Sequence, residues 1–247
     1  MTKPSSSHAL TTATGQDPLP VRIDVNRRAR NFILRIDPRT REAVVVVPSA
    51  RAARRAPAFI AEHADWIARQ LAEMPPPIPF AEGTVLPVHG IDHVIRHRPE
   101  ARRGVWRGPA DPATNLPALC VSGQPAHLPR RLRDWLKREA RHILTERCNA
   151  HSAALNLPPP RIQVRDTTSR WGSCAYSGTL SFSGRLIFAP APVLDYVAAH
   201  ECAHRRQMNH GAGFWRLVDG LTPHRRAADR WLNAHGQDLH RYGAGPN

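Results

Sequence analysis

Alternating and β-branched apolar positions open the chain. Val21 to Val25, Phe32 to Ile36 and Ala43 to Val47 predict three short strands, separated at Asn26–Arg30 and at Asp37-Pro38. They read as a small meander. Past Pro48-Ser49 the period changes, and Ala56, Phe59, Ile60, His63, Ile67 and Leu71 recur at spacings of three and four, which predicts a helix over 51–74. Pro75-Pro76-Pro77 stops it.

Residues 84–122 return to strand character, with Val85 to Val88 and Asp92 to Ile95 on either side of His89-Gly90-Ile91 and a Gly- and Pro-rich loop around 104–117. From Leu128 to Leu155 runs the longest helical stripe: Leu132, Trp135, Leu136, Ala140, Ile143, Leu144 and Cys148 on one face, Arg and Lys on the other. Ile162 to Val164, Thr179 to Phe182 and Arg185 to Phe188 predict strands, the last two joined by a tight turn at Ser183-Gly184. Helices are predicted at Pro192 to Met208, Gly213 to Gly220 and Pro223 to His240. No internal repeat is visible.

The expected fold class is α+β: a disordered lead over 1–18, a small β-rich N-terminal part over 19–127 with one helix, and a C-terminal domain over 128–247. That domain combines a short antiparallel sheet with an active-site helix.

Bulk properties narrow the function classes. A 247-residue chain that is 41% hydrophobic can bury a substantial core. No run approaches the roughly 18 apolar residues that span a bilayer, and the first eighteen residues carry no apolar signal core. The four cysteines, Cys120, Cys148, Cys174 and Cys202, form no C-x-x-C pair and read as reduced, packed thiols, which fits a cytoplasmic protein. The formal charge of +15 recurs in arginine pairs such as Arg27-Arg28, Arg54-Arg55, Arg205-Arg206 and Arg225-Arg226. Such a field attracts phosphate backbones, so nucleic acid stands as an alternative partner and a DNA-associated protein as the alternative function.

The chemistry concentrates in His200-Glu201-Cys202-Ala203-His204. On a helix, histidines four apart project from one face and can share a metal, while the intervening glutamate is placed as a general base. The bare pattern is expected about 0.03 times by chance in a chain of this composition, so context has to decide. Pro190 and Pro192 precede an apolar helical lead from Val193 to Ala199 that would hold the motif rigidly. A catalytic zinc needs three protein ligands and one open position. Glu201 is the last glutamate, which leaves His210, Asp219, His224 and Asp229 as third-ligand candidates. His210 follows His204 by six positions and gives H-E-x-x-H-x(5)-H, with Gln207 where the metzincin pattern has glycine.

Arg170-Trp171-Gly172-Ser173-Cys174, a strand pair, Val197-Ala198-Ala199-His200-Glu201-x-x-His204, Asn209-His210 and Phe214-Trp215 together resemble the YgjP-like family of zinc metallopeptidases, relatives of the SprT-like proteases. The resemblance is strong over about 161–231 and looser over the N-terminal strands. It implies a zincin-like catalytic domain with one zinc ion, His200, His204 and His210 as metal ligands, and Glu201 as the catalytic base. Peptide bonds would be hydrolysed by Glu-assisted attack of zinc-bound water, with protein or peptide as substrate. Cys202 departs from the aliphatic residue usual there. Trp171, Gly172 and Ser173 are candidate substrate-binding residues, the neighbouring strand edge being able to pair an extended peptide. Arg170, Tyr196 and His224 are candidate oxyanion donors, and Phe214 and Trp215 read as core.

Overall fold

Ala43-Val44-Val45-Val46-Val47 has no alternation because its strand is covered on both faces and paired on both sides. In the computed structural model, which describes the backbone of Ser6–Leu10 and residues 19–244, the first sheet contains four strands: β1 (Ser6–Leu10), β2 (Leu19–Val25), β3 (Ile33–Asp37) and β4 (Glu42–Val47). Their order is β1-β2-β4-β3. β4 pairs parallel with β2 and antiparallel with β3, so the three strands form no meander. A continuous apolar run is what a central strand beside a parallel neighbour carries. The strand β1 falls where the sequence predicts a disordered lead; the remaining residues of that lead lie outside the described ones.

The helix predicted over 51–74 is broken into α1 (Ala50–Ala53), α2 (Ala56–Glu62) and α3 (Ala64–Glu73). Pro57 has no N–H for an intrahelical bond and fits only a first turn, so a new helix starts at Ala56. The second break lies at His63, at φ −112° and ψ 9°; its ring reaches the Phe59 carbonyl at 2.8 Å. The stripe still buries Ala56, Ile60 and Ile67 against Val21, Val45 and Val47.

The chain divides into two compact units at Pro76/Pro77, so residues 77–127 belong with the C-terminal part rather than with the N-terminal strands. That second unit begins with β5 (Val85–Val88), β6 (Ile91–His97), β7 (Val105–Ala110) and β8 (Pro117–Val121). Their order is β5-β6-β8-β7, with β6 and β8 parallel and both flanking pairs antiparallel. This repeats the topology of the first sheet, a structural duplication that the sequence does not reveal. The stretch expected as a loop around 104–117 supplies β7, which accommodates Gly108 and Pro109 through an irregularity in its register. His89 and Gly90 both take left-handed backbone (φ 54° and 83°), as a two-residue type I′ hairpin requires. A Cβ on Gly90 would lie 3.3 Å from the Pro190 backbone, so the hairpin tip abuts the chain just before the motif helix.

α4 (Leu128–Ala154) comes next, with its predicted stripe buried except for the half-buried Trp135. Beyond it lie β9 (Ile162–Arg165), β10 (Gly172–Cys174) and β11 (Leu180–Ser183), in the order β10-β11-β9. β10 pairs antiparallel with β11, and β11 parallel with β9, so this sheet is mixed. The segment Gly184–Phe188, expected as a strand after a turn, is a 3₁₀ helix. Leu186, Ile187 and Phe188 are buried consecutively, which a strand with one solvent face cannot do, and the Ser183 hydroxyl caps its start.

α5 (Ala191–His204) carries the H-E-x-x-H residues and ends four residues before its predicted limit. α6 (Ala212–Leu221), α7 (Arg225–His235) and a 3₁₀ turn over Gly236–His240 complete the unit. Nine residues of α5 are buried; a helix apolar on nearly all sides belongs inside a core. Polar ties fix its position. His151 of α4 meets Asp195 at 2.9 Å, and the Thr222 hydroxyl at the end of α6 donates to the other carboxylate oxygen at 2.7 Å. Arg205 donates to Ser152 at 2.8 Å.

Burial alone would raise the pKa of Asp195, but the bonds from His151 and Thr222 outweigh it and hold the carboxyl below its ordinary value. A group depressed in the folded state stabilises the fold above its unfolded pKa, and that contribution disappears as pH falls through the folded value. Asp195→Ala should therefore lower unfolding stability at neutral pH by about 2–4 kcal/mol, since it leaves buried partners unmatched. Urea titrations at pH 7 and pH 3 should give a smaller wild-type-to-variant gap at the lower pH.

Candidate metal centre

Two turns of α5 place His200 and His204 side by side, with ring centroids 4.9 Å apart. The chain leaves the helix at Arg205 and returns at Gly211, bringing His210 against both. Nε2 of His210 lies 3.2 Å from Nε2 of His200, and its ring centroid lies 4.7 Å from that of His204. One ligand atom from each of the three histidines falls within 4.8 Å of the others. Gln207 does not take a positive φ, so the return turn dispenses with the left-handed backbone that would favour glycine there. Its carbonyl instead accepts a bond from Nδ1 of His204 at 3.2 Å, which leaves Nε2 of that ring free to ligate.

Phe214 is the common floor. Its ring lies 4.9, 4.5 and 4.7 Å from those of His200, His204 and His210, and it is fully buried. Trp215 stacks on His210 at 5.7 Å, and the Arg225 guanidinium lies 5.1 Å above Trp215. Phe214 is thus core, as its sequence predicts, and also sets the orientation of all three imidazoles. Nδ1 of His200 is buried without a hydrogen-bond partner among the described residues, so that ring is held by packing against Tyr196 and Phe214.

Burial, followed by the charges of His204 and His210, pulls His200 down to about 4. Burial also lowers His204. Neutral imidazoles are the form that ligates a metal. Nitrogens bound at about 2.0–2.1 Å to a tetrahedral ion lie about 3.3 Å apart, close to the separation of the two Nε2 atoms. The donor set fits a cation that prefers nitrogen ligands in tetrahedral geometry. The other third-ligand candidates do not join this cluster. Asp219 is paired with Arg225, with 2.9 Å between Nη2 and Oδ2.

Glu201 is 6% exposed, and burial pushes its carboxyl up to about 8, with Cys202 adding to the rise and Arg170 opposing it. The adjacent strand leaves room for it only because residue 172 has no side chain. A Cβ on Gly172 would sit 2.5 Å from Oε1 and 2.6 Å from Cγ of Glu201. Trp171 stacks on His240 at 5.4 Å. Trp171, Gly172, Tyr196, Val197, His200 and Glu201 share a cleft of about 250 Å³ with α7. Ser173 does not line this cleft, and its backbone pairs with Ser181. Asp229, Leu232 and Asn233 form the far wall, which sequence reasoning missed as a wall because only the fold of α7 back onto α5 creates it.

A family model described as "YgjP-like, metallopeptidase domain" matches residues 30–235. The comparison with curated proteins found no match. Among solved structures, the chain is similar to the metallopeptidase zymogen abylysin of Pyrococcus abyssi, at 20% identity and a TM-score of 0.30, covering 41% of this chain and 92% of that one. A likeness that slight says nothing of this chain's chemistry.

The Gly172 contact can be tested separately from activity. Gly172→Ala should lower stability by about 1–3 kcal/mol through overpacking. If the crowding is with Glu201, Gly172→Ala introduced into Glu201→Ala should cost much less, a coupling that thermal unfolding of the four proteins measures.

Proposed function

The chain belongs to the YgjP-like metallopeptidase family, and from that membership we propose that it hydrolyses peptide bonds with one zinc ion held by His200, His204 and His210 and with Glu201 as general base. The observation that carries this reading is the convergence of three imidazoles beside a buried carboxyl that opens onto the same cleft as His200. Zinc in such a site supplies a Lewis acid for the scissile carbonyl and a coordinated water whose pKa falls towards about 7.

The protein's own groups do the rest. Glu201 lines the same cleft as His200, where its carboxylate is placed to take the proton released by the nucleophile and return it to the departing amine. β10 lies at the edge of its sheet, next to Glu201, and can pair with an extended substrate through its free side. Trp171 and Gly172 form the adjoining wall of the cleft. Of the three candidate oxyanion donors, Tyr196 lines the cleft, whereas Arg170 and His224 do not.

Nothing comparable supports the DNA-associated alternative. Several arginines from the basic pairs have internal partners: Arg131 donates to the Ser122 carbonyl, Arg205 to Ser152, Arg206 to the Leu155 carbonyl and Arg225 to Asp219. Part of the positive charge therefore has a structural use. No described helix is long and apolar enough to cross a membrane.

Glu201→Gln should lower peptide hydrolysis by about 100- to 10,000-fold while zinc stays bound. His200→Ala, His204→Ala and His210→Ala should each lose zinc. Metal analysis and hydrolysis of a casein digest, run on the same preparations, check both statements; a Glu201→Gln protein that keeps full activity would remove Glu201 from the role.

A further inference from the structure

We propose that the cleft beside Glu201 is a specificity pocket for a lysine or arginine side chain of the substrate, read by the carboxylate of Asp229. This rests on the peptidase reading above and adds a substrate class to it.

The shape is set by two helices. α5 presents Tyr196 and His200 four residues apart, and Val197 and Glu201 likewise; α7 presents Asp229, Leu232 and Asn233 at spacings of three and four from its own facing side. Trp171 adds the remaining wall, fixed by its stack on His240 and by Gly236, where a Cβ would come within 3.2 Å of the indole. At about 250 Å³ the cleft is smaller than the roughly 300–1,000 Å³ of pockets that enclose whole small ligands, and suits one long side chain.

The lining matches an amphipathic cation. Trp171, Tyr196, Val197 and Leu232 offer apolar surface to a methylene stem, and the indole face also attracts a positive charge. Asp229 supplies the acid. Its carboxylate forms no hydrogen bond or ion pair with another described residue, whereas Asp219 of the preceding helix is taken by Arg225. Asp229 and Tyr196 line the same cleft, so the carboxylate lies at the cleft wall. Asp229 acts on Arg225 at long range, but that guanidinium is committed to Asp219 and to the Trp215 face. Arg170 acts on Glu201 and does not line the cleft. A solvent-exposed carboxylate that lines a cleft and has no hydrogen bond or ion pair of its own, in a chain of formal charge +15, is an arrangement that selects a cationic group.

The test uses three otherwise identical peptides carrying lysine, norleucine or glutamate at each position around the cleaved bond in turn. Norleucine keeps the stem and removes the charge. At one position the zinc-loaded protein should prefer lysine over norleucine by about fivefold or more in kcat/KM, glutamate being poorest. Asp229→Asn should bring the lysine-to-norleucine ratio close to one, and Asp229→Lys should favour glutamate. Equal use of lysine and norleucine at every position, or a preference that survives Asp229→Asn, would overturn the proposal. If the wild type cuts none of the peptides, the peptidase reading fails instead. Calorimetric binding of the same peptides to Glu201→Gln, with and without Asp229→Asn, then decides the pocket: tighter lysine binding lost with Asp229 retains it, and equal binding rejects it.

Discussion

A carboxyl group kept out of water beside three imidazoles is the constraint on which this structure is organised. Burying Glu201 is unfavourable unless its surroundings are rigid and it meets a charge or proton that compensates. The molecule supplies the rigidity from several directions. α5 is enclosed by core, tied at its start by the Asp195 contacts with His151 and Thr222, and tied at its end by Arg205 and Ser152. Gly172 lets β10 close over the carboxyl without a side chain between them. Phe214 orients the imidazoles from below. A reacting constellation held in this way loses little free energy to reorganisation.

The two four-stranded sheets share a topology but lead into different elements. Each joins two antiparallel pairs through a central parallel pair. After the first come three short helices; after the second comes the 27-residue α4, whose buried face supports α5 and the 3₁₀ segment leading into it. The same topology thus supports the three-histidine cluster only in the second unit, through the helix attached to it.

Much of this was legible in the residues. The strand runs at 21–47, the stripe of α4 and the spacing of His200, Glu201 and His204 are local signals, and local periodicity survived into the structure. Pairing was not legible. β2 and β4 read as consecutive members of a meander because nothing in either run encodes a parallel partner. The Gly184–Phe188 segment looked like a strand because apolar density alone does not distinguish a strand from a buried 3₁₀ turn. β10 was hidden by its length of three residues, and its edge position became clear only with β11 in place. The role of Gly172 depended on a contact with a residue 29 positions away, and the Asp229 wall on the packing of α7, neither of which has a local signature.

The central claim is an open three-histidine metal centre, and X-ray absorption at the zinc edge of the metal-loaded protein tests it most directly. Three imidazole nitrogens and one exchangeable oxygen at about 2.0–2.1 Å, with no sulfur, is the predicted first coordination sphere. A closed site of four protein ligands, for instance one that recruits the Cys174 thiolate at about 2.3 Å, would contradict it.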